Sequence, residues 1–289
     1  MGTTPTSTRA PISPERGPDL PIGVFDSGVG GLTVLRAIRA ALPNESTIYL
    51  GDTARVPYGT KSRESVLRYS LQASRQLVER GIKLLVVACN TASALSLPEL
   101  RAELAPLPVL GVVEPGAEAA VAASAAQRHL VLATEATVAQ RAYTRAIRAL
   151  APRADVEELA CSLFVALAEE GWTHGEVAAA AARAYLGAVV ARPERERPDS
   201  VIHGCTHIPQ LADVIRAELG PRPSIVDSAT ATARAVGVLL DRDALATSAR
   251  SAPGDLRLLV TDGGERFACL GSRFLGETFA MSDVEVVDL

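Results

Sequence analysis

Short apolar runs alternate with longer amphipathic stretches along most of the chain, the pattern of strands followed by helices. PIGVFD (21–26) is closed by the glycine-rich SGVGG, and LTVLRAIRAAL then places apolar residues at helical spacing. STIYLGD (46–52) reads as a second strand ending at Asp52, and TARVPYGTKS (53–62) as a loop before a long helix that stops near Gly81. LLVVAC (84–89) is the clearest buried strand, a continuous apolar run of the kind a parallel sheet covered on both faces requires. VLGVV (109–113) follows as a strand and stops at Glu114-Pro115-Gly116.

A second series begins at HLVLAT (129–134), with a helix expected from about Val138 to Leu150 and a strand at DVEELA (155–160). Residues 163–190 read as helical with an interruption at Gly171-Trp172-Thr173-His174. A charged, proline-flanked loop, PERERPD (193–199), leads to the strand SVIHGC (200–205), and a helix follows Pro209. SIVD (224–227) precedes an alanine-rich helix to about Leu240, and RLLVTD (257–262) with a short helix over 265–275 finishes the pattern. Such alternation predicts an α/β fold with mostly parallel sheets flanked by helices. The series also echoes itself: one strand ends at Cys89-Asn90-Thr91 before a helix, another at Cys205-Thr206-His207 before a helix. Two similar domains are expected, 21–114 with 229–289 and 115–228. Each offers one cysteine from a strand's carboxyl end, with the active site in the cleft between them.

Composition narrows the class. Aromatic residues are only 4% of the chain, so the apolar mass is Ala, Val and Leu, which suits helices packed on sheets. A net charge of −4 leaves no electrostatic footprint for nucleic acid. No apolar run approaches the roughly 18 residues of a membrane span. Residues 1–20 are rich in Thr, Ser and Pro, lack the apolar centre of a signal peptide, and read as a disordered tail. Cys89, Cys161, Cys205 and Cys269 form no C-x-x-C pair and read as free thiols in a reducing compartment, so a cytoplasmic location is expected.

The paired cysteines carry the most specific chemistry. A free thiol has a pKa of about 8.5, so thiol and thiolate are both within reach near neutral pH. Moving a proton from one face of a carbon to the other needs a base on one side and an acid on the other, with roles that swap in reverse. Two thiols meet that need. A lone buried cysteine is more often a small hydrophobe, the reading applied to Cys161 and Cys269. Asp26-Ser27-Gly28-Val29-Gly30-Gly31 is either a tight turn or a loop that aims N–H groups at an anion; Thr33 stands where a dinucleotide fingerprint needs its third glycine. Asn90, Thr91 and Thr206 offer hydrogen bonds to a substrate, or act only as helix caps. His203, Cys205 and His207 alternate along a strand and could converge on a metal, but the usual zinc spacings are missing. His207 fits better as an acid–base partner of Cys205. The lysines, Lys61 and Lys83, are poor Schiff-base candidates, so no cofactor and no metal are expected.

Taken together, IGVFDSGVGGLTVL (22–35), YLGDTARVPYGTKS (49–62), VVACNTASA (86–94), GVVEPG (111–116), ACSLFVALAEEG (160–171), GCTHIPQL (204–211) and VDSA (226–229) resemble the glutamate racemases of the aspartate/glutamate racemase superfamily. The resemblance runs in register from residue 21 to about residue 275. It implies two α/β domains with the site between them, and Cys89 and Cys205 as the two acid–base residues, the first acting on the D-enantiomer and the second on the L-enantiomer. Asp26 and His207 match positions that assist the cysteines. Asp26, Ser27, Pro57, Tyr58, Gly59, Asn90, Thr91, Thr206 and His207 match positions that hold the substrate, and Glu169 or Glu170 is also implicated. D-Glutamate for peptidoglycan synthesis and a homodimer are implied as well. The sequence departs from the family pattern at Ala133, Ser162, Ala166, His203, Ile208 and Gln210, all away from the catalytic positions; His203 is the one placed to influence Cys205. A racemase for aspartate or another amino acid, and a nucleotide- or sugar-phosphate-binding regulator built on the Gly-rich loop, are the competing readings. His207 weighs against the first, because relatives of that kind commonly carry an acidic residue after the second Cys-Thr. The absent third glycine weighs against the second.

Overall fold

The computed structural model describes residues 17–247 and 252–289. Most of the expected tail, residues 1–16, lies outside the described residues. Residues 17–20, counted with it, form a turn closed by the Leu20 N–H on the Gly17 carbonyl at 3.2 Å.

The described strands are β1 (Ile22–Asp26), β2 (Thr47–Gly51), β3 (Leu84–Val87), β4 (Val109–Gly111), β5 (Arg128–Ala133), β6 (Asp155–Ala160), β7 (Ser200–Gly204), β8 (Ser224–Asp227), β9 (Leu256–Val260) and β10 (Val284–Val286). Between them run α1 (Leu32–Ala41), α2 (Arg63–Glu79), α3 (Asn90–Glu103), α4 (Val113–Ala123), α5 (Glu135–Ala139), α6 (Ala142–Leu150), α7 (Ser162–Glu170), α8 (Gly175–Val190), α9 (Ala212–Leu219), α10 (Ser228–Arg242) and α11 (Gly264–Leu275). The strands make two sheets, ordered β10-β9-β2-β1-β3-β4 and β6-β5-β7-β8, and every described pairing is parallel.

The echo in the sequence is a repeat of topology. In the first sheet the chain steps from β1 to β2 on one side and then crosses to β3 on the other; β5, β6 and β7 do the same in the second. A crossover reversal of this kind leaves a crevice beyond the carboxyl ends of the two strands that flank it. In the first sheet those are β1 and β3, in the second β5 and β7.

Strand alternation divides the core into layers. Ile22, Val24, Leu84 and Val86 face one cluster, while Phe25, Leu85 and Val87 face another. The first cluster continues into the second sheet through Leu130, Leu132 and Val201, so one apolar core spans both halves. α10 carries the chain back: Asp227 caps it through the N–H groups of Ala229 and Thr230, and Ala229, Ala233, Val236 and Leu240 form its buried stripe.

Three elements differ from the sequence reading. The strand expected to reach Val113 stops at Gly111, and α4 begins at Val113 with Pro115 in its first turn. Proline is tolerated there because first-turn N–H groups have no partner within the helix. The single helix expected from Val138 to Leu150 is broken into α5 and α6 by Arg141, whose φ of 49° is left-handed. β10 was not expected at all; it adds three residues to the sheet edge, where Glu285 takes hydrogen bonds from Arg80 and Arg257.

The halves touch where glycine leaves room. A β-carbon on Gly30 would overlap the Thr206 hydroxyl and stand 2.7 Å from the His207 ring; one on Gly59 would stand 2.8 Å from the Thr134 β-carbon. Thr33 donates to the Thr206 carbonyl at 3.4 Å, and the His207 ring meets Phe274 of α11 edge-on at 5.4 Å. Gly30→Ala should therefore cost about 1–3 kcal/mol in urea unfolding. Gly187→Ala, within α8 with no atom near its added carbon, should be neutral or mildly stabilising. Equal effects would contradict the close approach.

Lys83 is fully buried, pairs with Glu45 at 2.5 Å and donates to the Pro18 carbonyl at 2.6 Å, which pins the 17–20 turn to the sheet. Replacing one member leaves the other charge buried and alone. Lys83→Met should lose about 3–5 kcal/mol of stability by chemical denaturation. A loss below about 1 kcal/mol would mean that the pair is hydrated in solution.

Candidate active site

Both cysteines stand where a strand hands over to a helix at its sheet's reversal point. Cys89 follows β3 and caps α3; its sulfur accepts the Ala92 N–H at 3.5 Å and donates to the Ser27 hydroxyl at 3.4 Å. Cys205 follows β7 and precedes a 3-10 turn over Ile208–Leu211. The two line one cavity. Ser27, Pro57, Tyr58 and Gly59 reach it from loops of the first half, Asn90 and Thr91 from the first turn of α3, and Thr206 and His207 from beside Cys205. These are the residues singled out in the sequence. A larger cavity, of about 400 Å³, lies between α3, α4 and α6 and holds neither cysteine.

Asp26 lies behind this lining, fully buried. Its Oδ2 accepts the Gly28 N–H at 2.9 Å, and its Oδ1 is buried without a partner. The N–H groups of the Gly-rich loop, which one of the two sequence readings aims at an external anion, are turned on this carboxylate: Gly28, Gly31 and Ser27 all stabilise its charge. Burial outweighs both the His207 charge and these N–H groups and pushes the Asp26 carboxyl above its usual range. Burial, reinforced by the Asp26 charge, also pushes the Cys89 thiol up to about 12.

The second cysteine has different neighbours. The Cys205 sulfur is 3.9 Å from Nδ1 of His207, and Nε2 of the same ring is 3.2 Å from Oε1 of Glu169, a charge contact too oblique for a hydrogen bond. Burial alone would push the imidazole down. The sulfur and the Glu169 carboxylate outweigh it and raise His207 to about 10, while His207 holds Glu169 below the ordinary carboxylate range. Of Glu169 and Glu170, only Glu169 is among the residues that line the cavity. Glu170 is exposed and lies 3.6 Å from Arg266, whereas Glu169 shares a helix face with Val165, one turn earlier, and both line the cavity.

Two other residues escaped the sequence reading. Thr134 follows the last residue of β5, as Ser27 follows the last residue of β1, and its hydroxyl lies 2.9 Å from that of Thr91 and 3.0 Å from that of Thr137. Only the strand order reveals this equivalence. Asp52 accepts the Tyr58 hydroxyl and is itself held by Arg55 and Thr261, so Tyr58 offers the cavity its ring and backbone.

His203 does not line the cavity. Its ring is buried with Nε2 unpartnered, burial holds it down to about 4, and the charges that act on it are those of Asp227 and Arg216. Among the described residues no group of three or more His, Cys, Asp or Glu is placed to hold a metal ion. Cys161 is buried, as expected for a small hydrophobe, but Cys269 is exposed on α11.

The family model for Asp/Glu/hydantoin racemases matches residues 22–236. A glutamate racemase from Geobacter metallireducens is 50% identical over 255 residues, covering 88% of this chain and 92% of that protein. Among solved structures, glutamate racemase from Francisella tularensis in complex with D-glutamate superimposes with a TM-score of 0.85 at 32% identity, covering 94% of this chain and 98% of that one. Glutamate racemase from Thermus thermophilus in complex with β-chloro-D-alanine has a TM-score of 0.82 at 41% identity, covering 95% of this chain and 99% of that one. An aspartate racemase from Picrophilus torridus, at 16% identity and a TM-score of 0.55, shares the fold. The chain belongs to the Asp/Glu/hydantoin racemase family of isomerases and, within it, to the glutamate racemases.

Proposed function

We propose that this protein interconverts L- and D-glutamate by moving the α-proton between Cys89 and Cys205, without a cofactor. The observation that carries the reading is that the two buried thiols line one cavity from equivalent positions in opposite halves. From the L-enantiomer, the Cys205 thiolate takes the α-proton: the C–H bond breaks as an S–H bond forms. The His207 imidazolium and Glu169 balance charge beside that sulfur. Cys89, held as a thiol, gives its proton to the opposite face of the carbanion. For the D-enantiomer, starting from the same resting state, Asp26 takes the Cys89 proton and His207 gives one to Cys205; the Cys89 thiolate then takes the α-proton and the Cys205 thiol gives its proton to the opposite face of the carbanion. The substrate is held by the hydroxyls of Ser27, Thr91 and Thr206 and by the Asn90 amide, whose Nδ2 is buried without a partner.

The cavity has only about 30 Å³ of free room, against about 400 Å³ in the cavity between α3, α4 and α6. Glutamate therefore enters by a parting of the halves, which correspond to domains 21–114 with 229–289 and 115–228. Among the described residues no helix is long and apolar enough to cross a membrane. The reading places the enzyme in the cytoplasm as a homodimer, supplying D-glutamate to peptidoglycan synthesis.

Optical rotation of glutamate solutions tests the activity, with a preference over aspartate of more than tenfold expected. Cys89→Ser and Cys205→Ser should each lower interconversion at least 10³-fold, since one face then lacks its acid–base group, a loss of about 4 kcal/mol in transition-state stabilisation. A substrate analogue with a β-leaving group needs only one base, so each variant should still eliminate it from the enantiomer its remaining cysteine serves. Near wild-type interconversion by either variant would sink the two-base reading.

The His207 ring, followed by NMR, should titrate near pH 10 in the unaltered protein, and Glu169→Gln should lower that midpoint by a unit or more because a stabilising charge is lost. The raised midpoint means that His207 stabilises the fold in full below about pH 6.5 and loses that contribution as pH rises through about 10. Titration near 6.5 in both proteins would contradict the pairing.

A further inference from the structure

We infer that Tyr143, on α6 of the second half, is a positioning residue that fixes the Asn90 amide so that its NH₂ group, rather than its carbonyl, is presented to the substrate. This rests on the reading of the cavity as the glutamate site.

The two residues meet across the boundary between the halves. The Tyr143 hydroxyl donates to Oδ1 of Asn90 at 2.6 Å, and both side chains are buried. An amide is planar, so occupying its oxygen on one side fixes Nδ2 on the other. Asn90 lines the cavity, and Nδ2 is buried with no partner, a state that costs free energy until an acceptor arrives. A carboxylate is the acceptor glutamate brings. Without Tyr143 the amide could rotate by half a turn at little cost and present its oxygen to that carboxylate, which would repel it.

The surroundings are shaped to hold the tyrosine in place. A β-carbon on Gly116 would stand 3.2 Å from one edge of the ring, and one on Gly204 would stand 3.1 Å from the other. Gly116 ends the EPG segment at the start of α4, and Gly204 immediately precedes Cys205, so a glycine in each of two sequence motifs is accounted for by the seat it leaves. Burial also pushes the phenol well above its usual range, so the hydroxyl remains a donor throughout the pH range in which the site would work. Tyr143 touches Asn90 and not the reacting carbon, so its effect should fall on binding.

The test is a kinetic double-mutant cycle with Tyr143→Phe, which keeps the ring and removes only the hydroxyl, and Asn90→Ala, which removes the amide. Tyr143→Phe should raise KM for both enantiomers at least fivefold with kcat within about threefold. Adding it to Asn90→Ala should change KM by less than twofold, because its target is gone. An unchanged KM in Tyr143→Phe, or effects that multiply in the double variant, would overturn the inference in favour of a purely structural role. The orientation is also read without turnover, from the Asn90 side-chain NH₂ signals in ¹⁵N–¹H spectra. They should shift in Tyr143→Phe while those of Asn44 stay, and unmoved Asn90 signals would overturn the inference. An unaltered protein that fails to racemise glutamate would remove the proposed function, and the NH₂ signals would then decide the orientation alone.

Discussion

In the proposed reaction two thiols serve opposite faces of one carbon, so they must approach the same small volume from different directions, and that requirement bears on the rest of the molecule. A single sheet cannot satisfy it, because residues at its carboxyl edge all look the same way. Two sheets of matching strand order can, when their reversal points face each other. Cys89 follows β3 and Cys205 follows β7, the corresponding strands of the two sheets. The approach is held close by the absence of side chains at Gly30 and Gly59, against Thr206, His207 and Thr134. A continuous apolar core behind the contact keeps the halves in register.

Equivalent positions have unlike surroundings. Cys89 sits near a buried carboxylate, and burial with that negative charge keeps its proton on. Cys205 sits near an imidazole whose own proton is secured by Glu169. Anion on one side and cation on the other suit a resting state with an acid facing a base. Solvent would blur that difference, since charges only a few ångströms apart interact several-fold more strongly in a protein than in water. In the proposed reaction the small free volume of the cavity therefore belongs to the chemistry as much as the side chains do.

Much of this was legible in the sequence because it depends on local patterns. Apolar runs ending at Asp26, Cys89 and Cys205 mark strands whose final residues meet a crevice, and the short polar residues behind each cysteine mark the turns into the following helices. What could not be read depends on strand order or on single dihedral angles. Thr134 acquires its place only once β5 is known to correspond to β1. The break at Arg141 is one residue's left-handed conformation inside a stretch of good helical periodicity. The Gly-rich loop was legible as a ligand-shaped turn, but not that its anion is Asp26, because a loop's N–H directions follow from the fold. His203 alternates with Cys205 along the chain, yet it faces Asp227 and Arg216 and not the cavity.

Two-base proton transfer is tested most directly by the origin of the hydrogen in the first product formed by the unaltered protein. L-Glutamate is incubated in heavy water and the reaction is stopped at a few per cent conversion. If Cys205 removes the proton and Cys89 supplies another from its own solvent-exchanged thiol, the D-glutamate carries deuterium at Cα while the remaining L-glutamate keeps protium. D-Glutamate that retains the original protium would mean that one group carries the proton from face to face, and would contradict a mechanism with two cysteines.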